Sequence, residues 1–356
     1  MQWPEHGVVG WDIGGAHVKA CVLGRGQVVD VMQWACPLWQ GMSELERVMG
    51  RARERWPGLD AATHAVTMTG EMVDLFANRE DGVQRVAAKL AEALAPAPLH
   101  FFAGDGGWCT ADAVAPQWHH IASANWLATA RHAALALPTG EALLVDIGST
   151  TTDLIALRAG RVVTSARNDA QRLASGELVY HGVVRTPLCA FTRRILWRTL
   201  ELNVMNEFFA TAADVYRLTG ELDAAHDQHP SPDNAAKDLP ATCQRLARMI
   251  GLDARDGTPA EWLAFAREWR RHQLAELQTQ IARVRRLHAF SDGAALIAAG
   301  CGDFLVPELA PAQAPCLSYA RDVARISPQA EAGAAAWTQV CAPSVAVAAL
   351  FEREMR

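Results

Sequence analysis

The chain has 356 residues, half of them hydrophobic and 20% charged, with a formal net charge of −6 and a sequence pI near 6.1. This length suits two domains. The acidic balance gives no electrostatic case for nucleic acid, no apolar run could span a bilayer, and the N-terminal stretch lacks the pattern of a signal peptide. We therefore expect a soluble, cytoplasmic protein without nucleic-acid or membrane partners, whose eight cysteines are reduced thiols.

The stretch 8–29, VVGWDIGGAHVKACVLGRGQVV, predicts a strand, a polar turn, a strand, a second turn and a third strand. The first turn contains Gly14 and Gly15, whose backbone N–H groups can wrap a phosphate. Lys19 follows on the next strand. It either points back to the turn as a cation for phosphate or lies solvated on a strand edge.

Two carboxylates follow predicted strands in the first half of the chain. A strand over 61–69 runs into Glu71 and opens a helix, which puts Glu71 where α/β proteins collect ligands, unless it only complements a helix dipole. A strand over 99–103 leads to Asp105, which is either a candidate general base or part of a Gly-rich turn. Ser123 or Asn125 is the expected N-cap of a helix.

The pattern of 8–29 occurs again 134 positions later, in 142–163, ALLVDIGSTTTDLIALRAGRVV. Asp12 then corresponds to Asp146. Two copies imply two similar halves. Asp146 and Asp153 could hold a divalent metal against a phosphate. The second turn offers small residues and hydroxyls as its phosphate cradle, namely Gly148, Ser149, Thr150 and Thr151.

The run 177–187 is rich in functional groups. Glu177 is a candidate metal or substrate ligand, Tyr180 could stack on an aromatic substrate, and Arg185 could pair bidentately with phosphate or carboxylate. Each could instead be a satisfied structural contact.

The region 188–290 is expected to be a largely helical insertion. Within it, HDQH at 226–229 has metal-ligand spacing but lacks a supporting helix, so we expect no zinc site. A substrate-closing loop over 221–240, in which Lys237 acts, is favoured. A strand over 295–299 is then followed by Gly300 and Gly302, and a short closing helix over 348–356 should return to the first half.

The segments 12–15, DIGG, and 146–150, DIGST, resemble the phosphate-1 and phosphate-2 loops of the actin/hexokinase/Hsp70 superfamily. The resemblance implies an α/β fold of duplicated actin-like ATPase (ribonuclease H-like) domains with an interdomain cleft. It also implies that Gly300 and Gly302 belong to an adenosine or connecting loop, and that Asp105 matches the base of sugar kinases. His17 replaces a hydroxyl residue common in the kinases, which counts against simple transfer from ATP. The implied domains are 1–138 with 342–356, and 139–341 including the insertion at 188–290.

Longer stretches resemble the hydantoinase/oxoprolinase-like proteins tied to tetrahydromethanopterin-linked one-carbon metabolism. The resemblance implies an enzyme of methanofuran-type cofactor biosynthesis. Such a transferase joins an aminomethylfuran-methyl diphosphate to the phenol oxygen of γ-glutamyltyramine and releases diphosphate. In bacteria it would serve formaldehyde oxidation through methylofuran. The stretches are 10–17, 36–41, 68–71, 122–126 and 177–187.

This reaction assigns expected roles. Mg²⁺ is the expected cofactor, with Asp12, Asp146 and Asp153 as its ligands. Lys19 or Arg185 would assist, and Glu71 or Asp105 would take the phenol proton. The loop residues that would bind the diphosphate are Gly14, Gly15, His17, Gly148, Ser149, Thr150 and Thr151.

Two other functions remain open from the residues. One is an ATP-dependent kinase of a small molecule, with Asp105 as base and ATP as cosubstrate. The other is a non-catalytic nucleotide-sensing protein. The expected partners of the transferase are a small-molecule diphosphate and a phenolic amine, and the oligomeric state is not indicated.

Overall fold

The computed structural model describes residues 3–355. The backbone contacts divide the chain into two compact units. Unit 1 comprises Met1–Ala142, Leu157–Val163 and Leu317–Arg356, and unit 2 comprises Leu143–Ala156 and Thr164–Cys316.

Strands and helices alternate along much of the described chain. In chain order, the strands are β1 (Val8–Ile13), β2 (His17–Gly24), β3 (Gln27–Ala35), β4 (Thr63–Met68), β5 (Leu99–Phe102), β6 (Trp108–Cys109), β7 (Glu141–Ile147), β8 (Thr152–Arg158), β9 (Arg161–Val162), β10 (Leu178–Val179), β11 (Arg194–Trp197), β12 (Leu200–Asn203), β13 (Ala295–Ala299) and β14 (Cys316–Ser318). The α-helices are α1 (Ser43–Arg55), α2 (Arg79–Leu94), α3 (Val114–Ile121), α4 (Asn125–Leu135), α5 (Asp169–Ser175), α6 (Ala212–Thr219), α7 (Leu239–Arg248), α8 (Pro259–Leu287), α9 (Val306–Leu309), α10 (Ala334–Val340) and α11 (Ala342–Met355).

The first sheet has the order β3-β2-β1-β4-β5-β6. β1 pairs antiparallel with β2 and parallel with β4. All six residues of β1 are buried, because the strand lies inside the sheet and α11 packs against it. A continuous apolar run rather than an alternating one is typical of such a strand.

The second sheet has the order β10-β8-β7-β13-β14, with β9 also paired to β8. β10 pairs antiparallel with β8. The strand expected over 295–299 is present as β13. In unit 2, the helix α8 is capped at its start by a reciprocal pair of hydrogen bonds between Thr258 and Glu261.

The structure confirms the internal repeat at the level of backbone conformation. In the first copy, the N–H of Gly14 donates to the carbonyl of His17 at 2.9 Å, and 134 positions later the N–H of Gly148 donates to the carbonyl of Thr151 at 2.8 Å. The second turns match as well, since their central residues all have positive φ: Arg25 (51°), Gly26 (73°), Ala159 (48°) and Gly160 (74°). Positive φ at both central positions is the conformation of the type I′ hairpin turn.

Several boundaries differ from those expected. The segment 317–341 lies in unit 1 rather than with the second half, because Val28 bridges Ile326 and accepts from the N–H of Ser327. The insertion at 188–290 is only partly helical. β11 and β12 form an antiparallel hairpin in it, and exposed and buried residues alternate along β11.

Two predicted helix starts are corrected. Glu71 does not open an α-helix, since β4 leads into a short 3-10 helix, Gly70–Met72, and α2 begins at Arg79. Neither predicted residue caps α4, whose N-cap is Ala124.

Among residues 3–355, no single helix is both long and apolar enough to cross a membrane, although α10 and α11 satisfy length and composition jointly across a bend of 95°.

Candidate functional site

The first loop joins β1 to β2 in unit 1, and a carboxylate and a cation stand at its base. Asp12 lies near the end of β1 and is almost fully buried. Lys19 is its register partner on β2, and Lys19 Nζ lies 3.9 Å from Asp12 Oδ2. β2 is interior to the sheet, so Lys19 is not a solvated edge residue. Its ammonium stands on the same face as the carboxylate at the loop.

The first loop is packed closely, which limits its conformations. A Cβ added to Gly15 would lie 2.7 Å from Val73 Cγ1, and one added to Gly14 would lie 2.7 Å from the carbonyl oxygen of His17. His17 begins β2 and is buried. Its backbone carbonyl closes the turn, and a binding role for its imidazole ring stays a prediction.

The second loop, Gly148–Thr151, is held by the segment 181–186 within unit 2. The N–H of Val183 donates to the carbonyl of Gly148 at 3.1 Å, and the N–H groups of Val184 and Arg185 donate to the carbonyl of Ser149 at 3.1 and 2.8 Å. This backbone frame is the main role that the structure gives to the run of functional groups predicted at 177–187.

Thr186 and Gly182 complete that frame. The Thr186 hydroxyl accepts from the N–H of Gly182 at 2.8 Å and donates to the carbonyl of Thr150 at 3.2 Å. A Cβ on Gly182 would lie 2.4 Å from the backbone nitrogen of Thr150, so only glycine allows this approach. Neither residue was singled out from the sequence.

Arg185 lies at the second loop, as its predicted phosphate-binding role requires. Its Nη1 donates to Thr150 Oγ1 at 3.4 Å, and burial lowers the pKa of its guanidinium. The hydroxyls of Ser149 and Thr150 lie 3.4 Å apart. The loop therefore presents a cation and two hydroxyls together.

The two carboxylates of the second copy have different surroundings. Asp153 accepts from Nη2 of the buried Arg172 at 2.5 Å, so a metal ion there would compete with a guanidinium. Asp146 lies against Gly300, where a Cβ would be 2.5 Å from Asp146 Oδ1. The N–H of Gly302 donates to the carbonyl of Ile147 at 2.8 Å. Both glycines thus pack on the end of β7, and an adenosine-binding role for them stays a prediction.

Among residues 3–355, no group of three or more His, Cys, Asp or Glu side chains is arranged to hold a metal ion. The carboxylates of Asp12, Asp146 and Asp153 are nevertheless the oxygen donors that Mg²⁺ prefers. A Mg²⁺ ion at either loop would take its remaining ligands from water and substrate phosphate, as it commonly does.

The loop over 221–240, which is predicted to close over the substrate, is held by ion pairs. Asp227 pairs with Arg217 at 2.5 Å and with Lys237 at 3.0 Å. Asp233 pairs with Arg245 at 3.2 Å. Lys237 is thus part of the loop's own framework, and its action on a substrate stays a prediction.

Glu71 belongs to a buried polar cluster in unit 1. Its side chain is fully buried and its Oε1 accepts from the Ser123 hydroxyl at 2.7 Å. Arg79 Nη2 lies 3.4 Å from Glu71 Oε1 and donates to Ser123 Oγ at 3.0 Å. Arg79 and Ser123 were not predicted site residues. No local signal identifies them, because they meet Glu71 only through the fold.

Asp105 is the more accessible of the two predicted bases. It lies in the 3-10 turn Gly104–Gly106, and its side chain is 50% exposed. Its carboxylate pairs with Arg131 Nη2 at 2.5 Å, and the Arg131 guanidinium stands 5.4 Å from the centre of the Phe102 ring.

Glu177 is held by hydrogen bonds within unit 2, and its role as a metal or substrate ligand stays a prediction. Burial alone would raise its pKa, but hydrogen bonds from His288, Thr164 and Ser175 outweigh burial, and the net pKa is lowered. The Ser175 hydroxyl and His288 Nε2 lie 2.7 and 3.1 Å from its carboxylate. Tyr180 is 51% exposed, and its stacking on a substrate stays a prediction.

An α/β chain in which the strand–loop–strand–turn–strand motif occurs twice has the duplicated actin-like ATPase fold. A solved structure of acetone carboxylase, in its nucleotide-free form, aligns with 96% of this chain and 70% of its own at a TM-score of 0.55 and 10% identity. The chain belongs to the hydantoinase/oxoprolinase family, whose model matches residues 62–315, well over half of its length.

Two curated relatives carry the same name, (4-{4-[2-(γ-L-glutamylamino)ethyl]phenoxymethyl}furan-2-yl)methanamine synthase. The protein of Methanocaldococcus jannaschii is 26% identical over 301 residues, covering 85% of this chain and 88% of that protein. The protein of Methanococcus vannielii is 29% identical over 127 residues, covering 36% of this chain and 57% of that protein.

Proposed function

We propose that this chain is a transferase of methanofuran-type cofactor biosynthesis, which joins an aminomethylfuran-methyl diphosphate to the phenol of γ-glutamyltyramine. The observation that carries the proposal is the match to the Methanocaldococcus jannaschii synthase over 85% of this chain and 88% of that protein. A match over nearly the whole of both chains supports a shared reaction better than a shared fold does.

The reaction balances without a redox partner. The bond between the furfuryl carbon and the diphosphate oxygen breaks, and diphosphate leaves with the electron pair. The phenol oxygen then forms an ether bond to that carbon and loses its proton to a base. The furan ring stabilises the cation, so the protein's task is to bind the leaving group, hold the phenol and exclude water.

The two loops supply groups suited to a leaving diphosphate. At the first loop, the backbone N–H groups and the ammonium of Lys19 would bind phosphate oxygens. The Ser149 and Thr150 hydroxyls and the Arg185 guanidinium would do the same at the second loop. Mg²⁺, held by Asp12 or by Asp146, would neutralise further charge when bound. Asp153 would act mainly through its pair with Arg172.

Asp105 suits the role of base better than Glu71. A phenol must reach the carboxylate, and Asp105 is half exposed whereas Glu71 is fully buried. After the phenol oxygen has attacked the cation, its proton is strongly acidic, so an ordinary carboxylate is basic enough to accept it.

The test supplies the furfuryl-type diphosphate, γ-glutamyltyramine and Mg²⁺, and measures diphosphate together with the aryl ether by mass spectrometry. We expect both products in equal amounts, with Asp146→Asn losing both. A parallel reaction with ATP and candidate acceptors measures ADP. Formation of ADP without the ether would refute the synthase and favour a kinase. If neither reaction forms a product and the protein binds nucleotide tightly, a nucleotide-sensing protein would be favoured.

A further inference from the structure

Glu71, Arg79 and Ser123 come from three separate segments of unit 1 and meet in one cluster. Glu71 lies in the 3-10 turn after β4, Arg79 is the first residue of α2, and Ser123 lies just before α4. The hydroxyl of Ser123 contacts both the carboxylate and the guanidinium. The Arg79 side chain is 32% exposed, whereas Glu71 is fully buried.

The cluster lies beside the first loop. A Cβ on Gly70 would be 3.2 Å from the carbonyl carbon of Gly14, so the turn that carries Glu71 touches that loop. On the other side, a Cβ on Gly82 would be 2.4 Å from the carbonyl oxygen of Glu71. Gly82 is three residues after Arg79, on the same face of α2. The turn that carries Glu71 therefore lies between the first loop and the start of α2, where Arg79 is.

Ser123 is kept in an unfavourable conformation to make these contacts. Its φ is +51°, in the left-handed region that a β-carbon disfavours. Glycine would adopt this φ freely but would lack the hydroxyl. A strained, buried residue that contacts an ion pair is an arrangement that functional sites favour. The hydroxyl that Ser123 presents in this conformation accepts a hydrogen bond from Arg79 Nη2.

We propose that Arg79 binds an oxyanion of the diphosphate substrate, and that Glu71 and Ser123 are its positioning residues. The inference rests on the proposed function, because it names a further contact to that substrate. A guanidinium carries five N–H donors in one plane, so fixing Nη2 through two partners fixes the direction of the rest. Glu71 then acts through Arg79 and takes no proton from the phenol.

The first experiment measures binding of inorganic diphosphate with Mg²⁺ by titration calorimetry. We expect Arg79→Lys to weaken binding by about 10- to 100-fold, since it removes a planar charge-assisted contact. The matched control is Arg85→Lys on the same helix, where Arg85 pairs with Asp81 at 3.4 Å and stands over Phe76. It should bind diphosphate like the wild type.

The second experiment separates positioning from structural support. Ser123→Ala and Ser123→Gly both lose the hydroxyl, but only the glycine relieves the backbone, so its melting temperature should be the higher of the two. If Ser123 positions Arg79, both variants weaken diphosphate binding to the same degree. If Ser123 only supports the fold, affinity will follow the melting temperature instead.

The inference is overturned if Arg79→Lys binds diphosphate like the wild type, if Arg85→Lys loses as much affinity, or if the wild type binds no diphosphate. If Arg79→Lys does not fold, the comparison of Ser123→Ala with Ser123→Gly still decides. Binding that changes as expected, with no aryl ether formed, would refute the synthase and leave the diphosphate contact of Arg79 intact.

Discussion

Replacing Thr186 by valine tests whether the frame around the second loop determines that loop's conformation. Valine has the shape of threonine but no hydroxyl, so the change removes the acceptor of the Gly182 N–H at 2.8 Å and the donor to the Thr150 carbonyl at 3.2 Å. Thr186 and Gly182 are both buried, so water cannot replace the lost partner.

The expected cost follows from those two bonds. A buried N–H left without a partner costs about 1–3 kcal/mol, and the second bond contributes about 1 kcal/mol. A total of about 2–4 kcal/mol should lower the melting temperature of a unit of this size by about 5–15 °C.

The assay is thermal unfolding followed by calorimetry, with Thr186→Ser as the matched control. Serine keeps the hydroxyl and loses only a methyl group, so it should cost about 1 kcal/mol. Diphosphate affinity should fall for Thr186→Val and stay near the wild-type value for Thr186→Ser. If Thr186→Val melts no lower than Thr186→Ser, the hydroxyl does not hold the loop and the reasoning is wrong.

Three further predictions concern stability. Burial lowers the pKa of His64 to about 4, and an unfolded histidine titrates near 6.5, so the unfolded chain binds more protons between these values. Protonation of His64 alone should therefore lower the free energy of unfolding by up to about 3 kcal/mol as the pH drops from about 6.5 to 4. Burial also lowers the pKa of His132 to about 4, so His132 adds a similar fall over the same pH range. His64→Phe should therefore reduce the slope by the share that His64 contributes, in urea unfolding measured across this range, and an unchanged slope would exclude His64 as a source. Asp30→Asn should cost about 2 kcal/mol, because it leaves the 2.7 Å contact of Arg55 without a carboxylate, while the 34% exposure of Arg55 limits the penalty. Equal urea midpoints for Asp30→Asn and the wild type would contradict this expected loss of stability. Gly182→Ala should cost about 1–3 kcal/mol through its clash with the second loop and should weaken diphosphate binding. An unchanged melting temperature and an unchanged diphosphate affinity in calorimetry would show that the loop can shift to accommodate the methyl group.

The sequence alone determined the local parts of this molecule. The strand–loop–strand–turn–strand units, their repetition and the positive-φ turns depend on residues close together in the chain, where glycine and strand periodicity decide the backbone. The pairing of Lys19 with Asp12 is of the same kind. A tight turn fixes the strand register, and the register fixes which side chains face each other.

Tertiary structure decided the parts that distant segments build. Glu71 and Ser123 are 52 positions apart, and only packing turns the predicted base into a buried partner of Arg79. Thr186 reaches the carbonyl of Thr150 across 36 positions. No propensity or spacing encodes such contacts, because they depend on which buried surfaces meet. A polar side chain buried by that packing must then find its partner within the protein.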